Sequence, residues 1–296
     1  MKWAKWVITG VLVLIVAGIG VGEWRSSQVV GHSQYRFNMA LIVPDYGVSF
    51  VSIDPAEKAI LALPFPTSLA IRSRSLGEYS IASLYKLGSY QGQGGKFVRQ
   101  KIQGFMRVPV PGYLVSGRKE LKIKSNLRLT LLSTIFGRTE SSLSKFDAML
   151  LFYRVGRYRW REVGEDELVR SGVIDDSIYH PERLQEYVGT RLFDWGIGSS
   201  GVTVAIINAS GENGLGSDMA DFLSNLGMDV VMVRSASGAD NLEKSEWQVE
   251  SLDVEQELGY IFQNLFGFDR AKIEDVGSEY RARVLIRVGS DAKELF

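Results

Sequence analysis

The sequence predicts an α/β protein in which an N-terminal transmembrane helix precedes two α/β domains. Residues 6–22 form an uncharged, mostly aliphatic run. Short β-prone runs and helical patterns then alternate between residues 37 and 198. From Val202 onward the order is strand, helix, strand, helix, strand, which is typical of a small layered α/β domain.

Composition excludes several functional classes. The 34 Lys and Arg balance 34 Asp and Glu, so no net charge attracts nucleic acid, and we predict no nucleic-acid partner. The absence of cysteine excludes disulfides and thiolate metal sites. Only His32 and His180 are present, which argues against a His-rich zinc site and a Ser-His-Asp hydrolase. We therefore expect neither a metal nor a cofactor.

The N-terminal run fits a membrane anchor. A helix over residues 6–22 is about 25 Å long at about 1.5 Å per residue, near the lower length that a bilayer core requires. Lys2 and Lys5 precede it and place the N-terminus in the cytoplasm. We predict a cytoplasmic stub and anchor at 1–24, a polar tether at 25–34, and a single-pass protein of the cell membrane whose C-terminal body is extracytoplasmic. A cleaved signal peptide and a buried core helix are the alternatives.

The middle of the chain, residues 35–198, mixes strands and helices. Alternation of Leu121 and Ile123 with lysines predicts a half-exposed strand at 120–130. Pro181 suits the first position of a helix. The remaining predicted elements are strands at 39–43, 48–53 and 59–63 and helices at 95–106 and 144–155.

The C-terminal part follows a clearer pattern. A continuous apolar strand at 202–207 leads into the turn NASGENGLG, and Gly227 closes the helix that follows the turn. The predicted elements after the turn are a helix at 217–226, a strand at 228–233, a helix at about 254–266 and a strand at 283–288.

Two stretches of this part resemble a known domain. VTVAIINASGENGLGSDMADFLSNLGMDVVMV is similar to the opening of the LytR C-terminal domain, with its strand, small-residue turn, helix and second strand. The ending ARVLIRVGSD is similar to the last strand of that domain. The resemblance covers Val202 to Ala292, and we assign a LytR C-terminal-like domain to residues 201–292.

The preceding region resembles the catalytic domain of the LytR-CpsA-Psr (LCP) family. The similar segments are FNMALIVPDYGVSFVSIDPAEKAILALPFPTSLAI and SLYKLGSYQGQGGKFVRQKIQGFMRVPVPGYLV. The resemblance implies enzymes that transfer lipid-linked glycans with carboxylates and arginines around a pyrophosphate. Here the Arg-Asp positions of the family's Pro-Arg-Asp-Thr motif fall on Phe65 and Pro66, the acidic position of the second strand falls near Val48, and the arginine-rich stretch has no counterpart. The resemblance therefore implies a degenerate LCP-like domain at 35–198 without catalytic residues.

The turn before the predicted helix at 217–226 is a candidate binding site. Its glycines allow a tight turn. Gly211, Gly214 and Gly216 follow the order G-x-x-G-x-G, which departs from the dinucleotide-binding pattern. Free amides at the helix start suit an anionic or carbonyl group of a wall polymer. The candidate binding residues are Asn208, Ser210, Gly211, Asn213 and Gly214.

Two basic clusters offer further interpretations. The first is either a solvated strand face or a contact for anionic lipid headgroups or teichoic-type polymer. The second interleaves with aromatic residues, which favours a β-hairpin over a nucleic-acid surface, and Glu162, Glu165, Asp166 and Glu167 are expected to pair with its arginines. The clusters are Arg118, Lys119, Lys122, Lys124 and Arg128, then Arg154, Arg157, Arg159 and Arg161.

Together these observations predict a membrane-anchored extracytoplasmic cell-envelope protein. Its partners are the lipid bilayer, through residues 6–22, and a cell-wall polymer or an envelope protein. The favoured function is non-catalytic binding. The alternatives are an active LCP-type phosphotransferase that attaches lipid-linked glycans to the cell wall, and a scaffold joining other membrane proteins.

Overall fold

A computed structural model describes residues 27, 36–67, 69–73, 77–118, 122–175, 178–192, 201–237 and 240–295. The predicted anchor over residues 6–22 lies outside these ranges, as does nearly all of the tether. Each helix within the described ranges is too short or too polar to cross a bilayer.

A five-stranded sheet forms the centre of the first part of the chain. Its strand order is β6-β1-β2-β3-β7. Strands β1, β2 and β3 are consecutive antiparallel neighbours, whereas β6 and β7 pair in parallel at the edges. The predicted strands at 39–43, 48–53 and 59–63 are confirmed. The bounds are β1 (Phe37–Val43), β2 (Gly47–Asp54), β3 (Ala59–Pro64), β6 (Gly112–Val115) and β7 (Arg159–Glu162).

Helices cover both faces of this sheet, so every residue of β1 and β2 is buried. One face, which includes Ile42 and Phe50, packs against α1 (Ile81–Ser89) and α2 (Gly94–Met106). The other, which includes Met39 and Val51, packs against α3 (Ile123–Ile135) and α4 (Lys145–Arg157). Burial on both sides explains why most residues of these strands are apolar, although β1 also buries Asn38 and β2 also buries Ser49 and Ser52.

The predicted strand at 120–130 is wrong, because this segment begins helix α3. Ile123, Leu127 and Leu131 are buried and follow one another at four-residue spacing, which is the helical repeat. Leu129, by contrast, is exposed. Because Leu129 is apolar although it is exposed, apolar and basic residues alternate in this segment as they would in a half-exposed strand. The interpretation of the first basic cluster as a strand face is therefore also wrong.

The predicted β-hairpin around the second basic cluster is wrong as well. Helix α4 continues to Arg157, and β7 then lies parallel to β3 with Arg159 opposite Ala59. A parallel neighbour cannot be reached through a tight turn, so these arginines lie on a helix end and an edge strand.

Smaller elements complete the first part of the chain. The hairpin of β4 and β5 precedes α1, and the pair of β8 and β9 lies between α5 and α6. Pro181 does begin a helix, as predicted. The bounds are β4 (Ala70–Ser73), β5 (Gly77–Ser80), α5 (Glu165–Arg170), β8 (Ile174–Asp175), β9 (Ile178–Tyr179) and α6 (Pro181–Leu192).

A second five-stranded sheet, in the order β11-β10-β14-β12-β13, forms the C-terminal part. Its core contains Trp247 and an aromatic cluster around Phe262, whose ring centroid lies 4.5 Å from that of Trp247. The predicted strands and helices are present, and β12, β13 and α9 are additional. The bounds are β10 (Thr203–Asn208), α7 (Leu215–Asn225), β11 (Asp229–Ser235), β12 (Glu246–Val249), α8 (Leu252–Tyr260) with a π-helical turn at Ile261–Leu265, β13 (Lys272–Ile273), α9 (Val276–Tyr280) and β14 (Val284–Val288).

Polar contacts join the end of α2 to helix α7. The Arg107 guanidinium forms ion pairs with Asp218, at 2.8 Å, and with Asp221. The side-chain amide of Asn225 donates to the Arg107 carbonyl at 2.9 Å. Asp218, Asp221 and Asn225 are three and four residues apart, so one face of α7 receives Arg107.

Candidate functional site

A cleft of about 700 Å³ opens between the end of β7, helix α5 and helix α6. Its lining is dominated by charged side chains and contains four arginines against two glutamates. Each of the three elements contributes at least one arginine, so the cleft exists only in the folded chain. We call it the arginine cleft, and its lining residues are Arg161, Glu167, Arg170, Ser171, Arg183, Glu186, Tyr187 and Arg191.

Glu167 is the hub of the arginine cleft. Its Oε1 accepts hydrogen bonds from Arg161 Nη2 at 2.7 Å, from Arg191 Nη1 at 2.9 Å and from the Tyr187 hydroxyl at 2.9 Å. Arg191 also lies over the Tyr187 ring, with its Cζ 5.0 Å from the ring centroid. These contacts fix two guanidiniums at the edge of the cleft in defined positions.

The hub perturbs the pKa values of its members. Partial burial acts to raise the pKa of Glu167, but the hydrogen bonds from Tyr187 and Arg161 and the charges of Arg161 and Arg191 outweigh it, so this pKa is lowered. Burial, followed by the hydrogen bond to Glu167, raises the pKa of Tyr187 to about 12. The carboxylate is therefore ionised and the phenol neutral at physiological pH.

Two arginines of the cleft have no carboxylate partner within the described part of the chain. Arg183 Nη1 donates to the Gly172 carbonyl at 3.1 Å, and Arg170 Nε donates to the Asp166 carbonyl at 3.1 Å. Main-chain carbonyls orient these groups without neutralising their charge. A planar guanidinium that keeps further N–H donors available can bind an oxyanion such as a phosphate or carboxylate. The arrangement therefore favours binding of an anionic ligand.

Sequence patterns pointed to only part of this cleft. Glu167 pairs with Arg161, as expected for the acidic segment that follows the second basic cluster. The sequence patterns did not indicate that Arg170, Arg183 and Arg191 belong to a site. Arg183, Tyr187 and Arg191 recur at four-residue spacing on α6, which was the available signal for a shared polar face.

The positions that carry the LCP motif are apolar in this protein. Phe65 is 3% exposed and meets Phe105 edge to face, with ring centroids 5.9 Å apart. Val48 belongs to the same buried core. Among the described residues, no group of three or more His, Asp or Glu side chains is placed to hold a metal ion.

The predicted turn site lies between β10 and α7, and its polar groups bond largely to one another. The Asn208 side-chain amide donates to the Glu212 carbonyl at 2.7 Å, and its Oδ1 accepts from the Ser210 hydroxyl at 2.6 Å. Gly211 and Gly214 have φ values of 74° and 84°, which explains the need for glycine at both positions. Asn213 lies beside Gly214 just before the helix. Binding of a ligand by this turn stays a prediction.

Comparison with known families gives one match, over the C-terminal part. Residues 201–291 match the family model described as "LytR cell envelope-related transcriptional attenuator". The resemblance inferred from the sequence of this region is therefore confirmed by the match. A comparison with curated protein sequences returns no match.

Several solved structures of LCP proteins are among the structural matches to this chain. The "LytR-CPS2A-psr family protein YwtF (TagT) with bound octaprenyl pyrophosphate lipid" has a TM-score of 0.34 and 12% identity, covering 52% of this chain and 88% of that one. TagV of B. subtilis has a TM-score of 0.32 and 9% identity, covering 52% and 94%. TagT of B. subtilis has a TM-score of 0.25 and 13% identity, covering 79% and 92%.

Proposed function

We propose that this protein is a membrane-anchored, extracytoplasmic cell-envelope protein that binds an anionic cell-wall component in the arginine cleft without catalysing its transfer. Residues 6–22 anchor the chain in the bilayer, and the folded body lies outside the cytoplasm. The observation that carries the proposal is the convergence of four arginines on one cleft in which only Glu167 and Glu186 are acidic.

The charge distribution of the cleft supports an anionic ligand. Glu167 already binds Arg161 and Arg191, which leaves Arg170 and Arg183 as the cations available to an incoming group. A volume of about 700 Å³ has room for a phosphate with part of an attached sugar or polyol. Phosphate-rich wall polymers combine these features.

The absence of catalysis is inferred from the apolar replacements. Transfer of a diphosphate-linked group requires cations and carboxylates around the reacting phosphates. At the end of β3, where the resembled motif carries Arg and Asp, this chain has Phe65 in the core and Pro66 beside it. A buried aromatic ring cannot stabilise developing charge on a phosphate oxygen.

Binding of poly(glycerol phosphate) by the purified full chain tests the proposal. We expect binding that weakens with salt and is absent for a neutral glycan of similar length. Replacing both Arg170 and Arg183 by glutamine should weaken binding by roughly ten-fold or more, because hydrogen bonds to charged groups contribute about 1.5–3 kcal/mol each. The matched control is Arg159→Gln on the same edge strand as Arg161, since Arg159 is outside the cleft and highly exposed. Equal binding by all three proteins would contradict the proposal.

An active phosphotransferase is the second candidate, because arginines and carboxylates do meet in one cleft. Hydrolysis of a polyprenyl-pyrophosphate glycan by the full chain, measured with and without Mg²⁺, separates the two functions. Turnover that exceeds background and is lost in the Arg170→Gln and Arg183→Gln double variant would replace the binding function by catalysis. We expect no turnover.

A further inference from the structure

The outer surface of the pair formed by α3 and α4 exposes an unusual number of large apolar side chains. Phe136 is 66% exposed, and Met149 and Tyr153 on the neighbouring helix are each 53% exposed. Leu129 and Leu132 lie on α3, which Phe136 directly follows, and they are 36% and 38% exposed. Exposed apolar groups that cluster on adjacent helices mark an interaction surface more often than isolated ones do. We call this surface the α3–α4 face.

The charged groups that surround the α3–α4 face are cations. Of the two carboxylates between residues 122 and 157, Asp147 is buried, whereas Glu140 is exposed but forms its hydrogen bonds away from the α3–α4 face. Asp147 is 1% exposed, and Glu140 accepts from the Tyr85 hydroxyl at 2.8 Å and from the Gly95 amide at 2.9 Å, toward the helices on the opposite side of the sheet. The exposed cations are Lys122, Lys124, Arg128, Arg138, Lys145 and Arg157.

Several of these cations lie against aromatic rings of the same layer. The Cζ of Arg157 is 4.2 Å from the Tyr153 ring centroid, and that of Arg128 is 5.4 Å from the Phe152 centroid. Cations and aromatic rings side by side, with aliphatic groups between them, are typical of segments that lie at the interface of a bilayer.

A contact near the N-terminus relates this face to the anchor. The Ser27 hydroxyl donates a hydrogen bond to the Asp147 carboxylate, in the first turn of α4. Ser27 follows the end of the apolar run at Gly22 by five residues, which span at most about 18 Å when fully extended. If residues 6–22 cross the bilayer, the start of α4 is therefore held close to the membrane surface.

We propose that the α3–α4 face docks on the outer surface of an anionic bilayer, with its cations at the lipid phosphates and its apolar side chains in the interfacial layer. The proposal rests on the membrane anchor of the proposed function and adds the orientation of the body against the lipid. A bilayer is favoured over a protein or a second copy of this chain, because the exposed charges of the face have one sign and cannot complement themselves.

The natural absence of cysteine makes a site-specific test direct. The full-length chain with Phe136→Cys, labelled with an environment-sensitive fluorophore, is reconstituted into vesicles containing phosphatidylglycerol. Tyr90→Cys is the matched control, because Tyr90 is 77% exposed on the opposite helical layer. We expect the label at position 136 to shift to shorter wavelengths and to be quenched by lipid-attached nitroxides, while the label at 90 reports water. Met149→Cys should behave like Phe136→Cys.

The remaining outcomes separate the docking from the anchor. A chain that floats with the vesicles but shows the same water-exposed emission at positions 136 and 90 would overturn the docking and leave the anchor intact. A chain that does not float would overturn both. If, in detergent without lipid, the label at 136 became more protected from water as the protein concentration increased, a second copy of the chain would cover this face. The bilayer would then be rejected as its partner. Loss of the shift when Lys124, Arg128 and Arg157 are all replaced by glutamine would support the electrostatic part of the proposal.

Discussion

Gly172 lies just after helix α5, beside the arginine cleft, and has a left-handed backbone with φ +69°. A Cβ at this position would lie 2.4 Å from Arg183 Nη1, so the guanidinium would have to leave the Gly172 carbonyl. We expect Gly172→Ala to destabilise the protein by about 1–2 kcal/mol, mainly through the backbone strain of a left-handed alanine. Urea denaturation measures the change, and ligand binding in the cleft should weaken in parallel.

Gly156 provides the opposite case. It lies inside α4 in an ordinary helical conformation, and the nearest atom to an added Cβ is Arg128 Nη2 at 3.9 Å. Gly156→Ala should therefore stabilise the protein by roughly 0.5–1 kcal/mol, the helical preference of alanine over glycine. If Gly172→Ala and Gly156→Ala changed stability in the same direction, the left-handed conformation at Gly172 or the helical one at Gly156 would be contradicted.

The lowered pKa of Glu167 predicts a pH dependence of stability. A carboxyl whose pKa is lower in the folded than in the unfolded chain stabilises the folded state above the unfolded value, and this contribution is lost as pH falls through the folded value. Glu167→Gln should therefore be less stable than the natural protein at neutral pH. The difference should narrow below the ordinary value of 4.5. Thermal melts of both proteins between pH 7 and 3 check this, and a constant difference would contradict it.

At the scale of elements, the contact between α2 and α7 depends on Arg107. This residue directly follows α2 with φ 49°, and its guanidinium forms an ion pair with Asp218, whose side chain is only 11% exposed. Arg107→Gly keeps the backbone conformation but removes the ion pair with that carboxylate. We expect a loss of about 1–3 kcal/mol in the free energy of unfolding, because a charge-assisted hydrogen bond to a largely buried carboxylate is lost.

Arg281 is the matched control for this substitution. It also follows a helix, α9, with φ 52°, and no ion pair of its guanidinium occurs among the described residues. Arg281→Gly should relieve strain and stabilise the protein by about 1 kcal/mol. Chemical denaturation of both variants separates the loss of the ion pair from the effect of glycine on the backbone. A loss of stability in Arg281→Gly would show that the loss in Arg107→Gly cannot be assigned to the ion pair.

Helix α3 shows where the sequence was insufficient at the scale of elements. Periodicity identifies a strand or helix only when exposed positions are polar. Leu129 and Leu132 are exposed, so two patterns coexist in the same segment. The strands β1 to β3 were predictable, because each is a short, mostly apolar and β-prone run bounded by turn residues. These exposed leucines, which led to the wrong prediction of a strand at 120–130, belong to the α3–α4 face.

At the scale of the whole molecule, the C-terminal domain was predictable and the arginine cleft was not. The domain is encoded in contiguous segments whose order of strand, turn and helix is visible in the sequence. The cleft assembles Arg161 from an edge strand with Arg170 at the end of α5 and Arg191 on α6. Their proximity depends on tertiary packing, which no local pattern reports.

The orientation of the molecule is the prediction on which the proposed function depends. Since the chain contains no cysteine, single cysteines report topology without background. Ser224→Cys, exposed on α7, should react with a membrane-impermeant maleimide in intact spheroplasts, because the proposed orientation keeps only the N-terminus, with Lys2 and Lys5, in the cytoplasm. Ala4→Cys should react only after lysis.

The reverse pattern would place the arginine cleft in the cytoplasm, away from any wall polymer, and the α3–α4 face against the inner leaflet. Reaction of both cysteines in intact cells would instead indicate that the N-terminal segment does not span the bilayer.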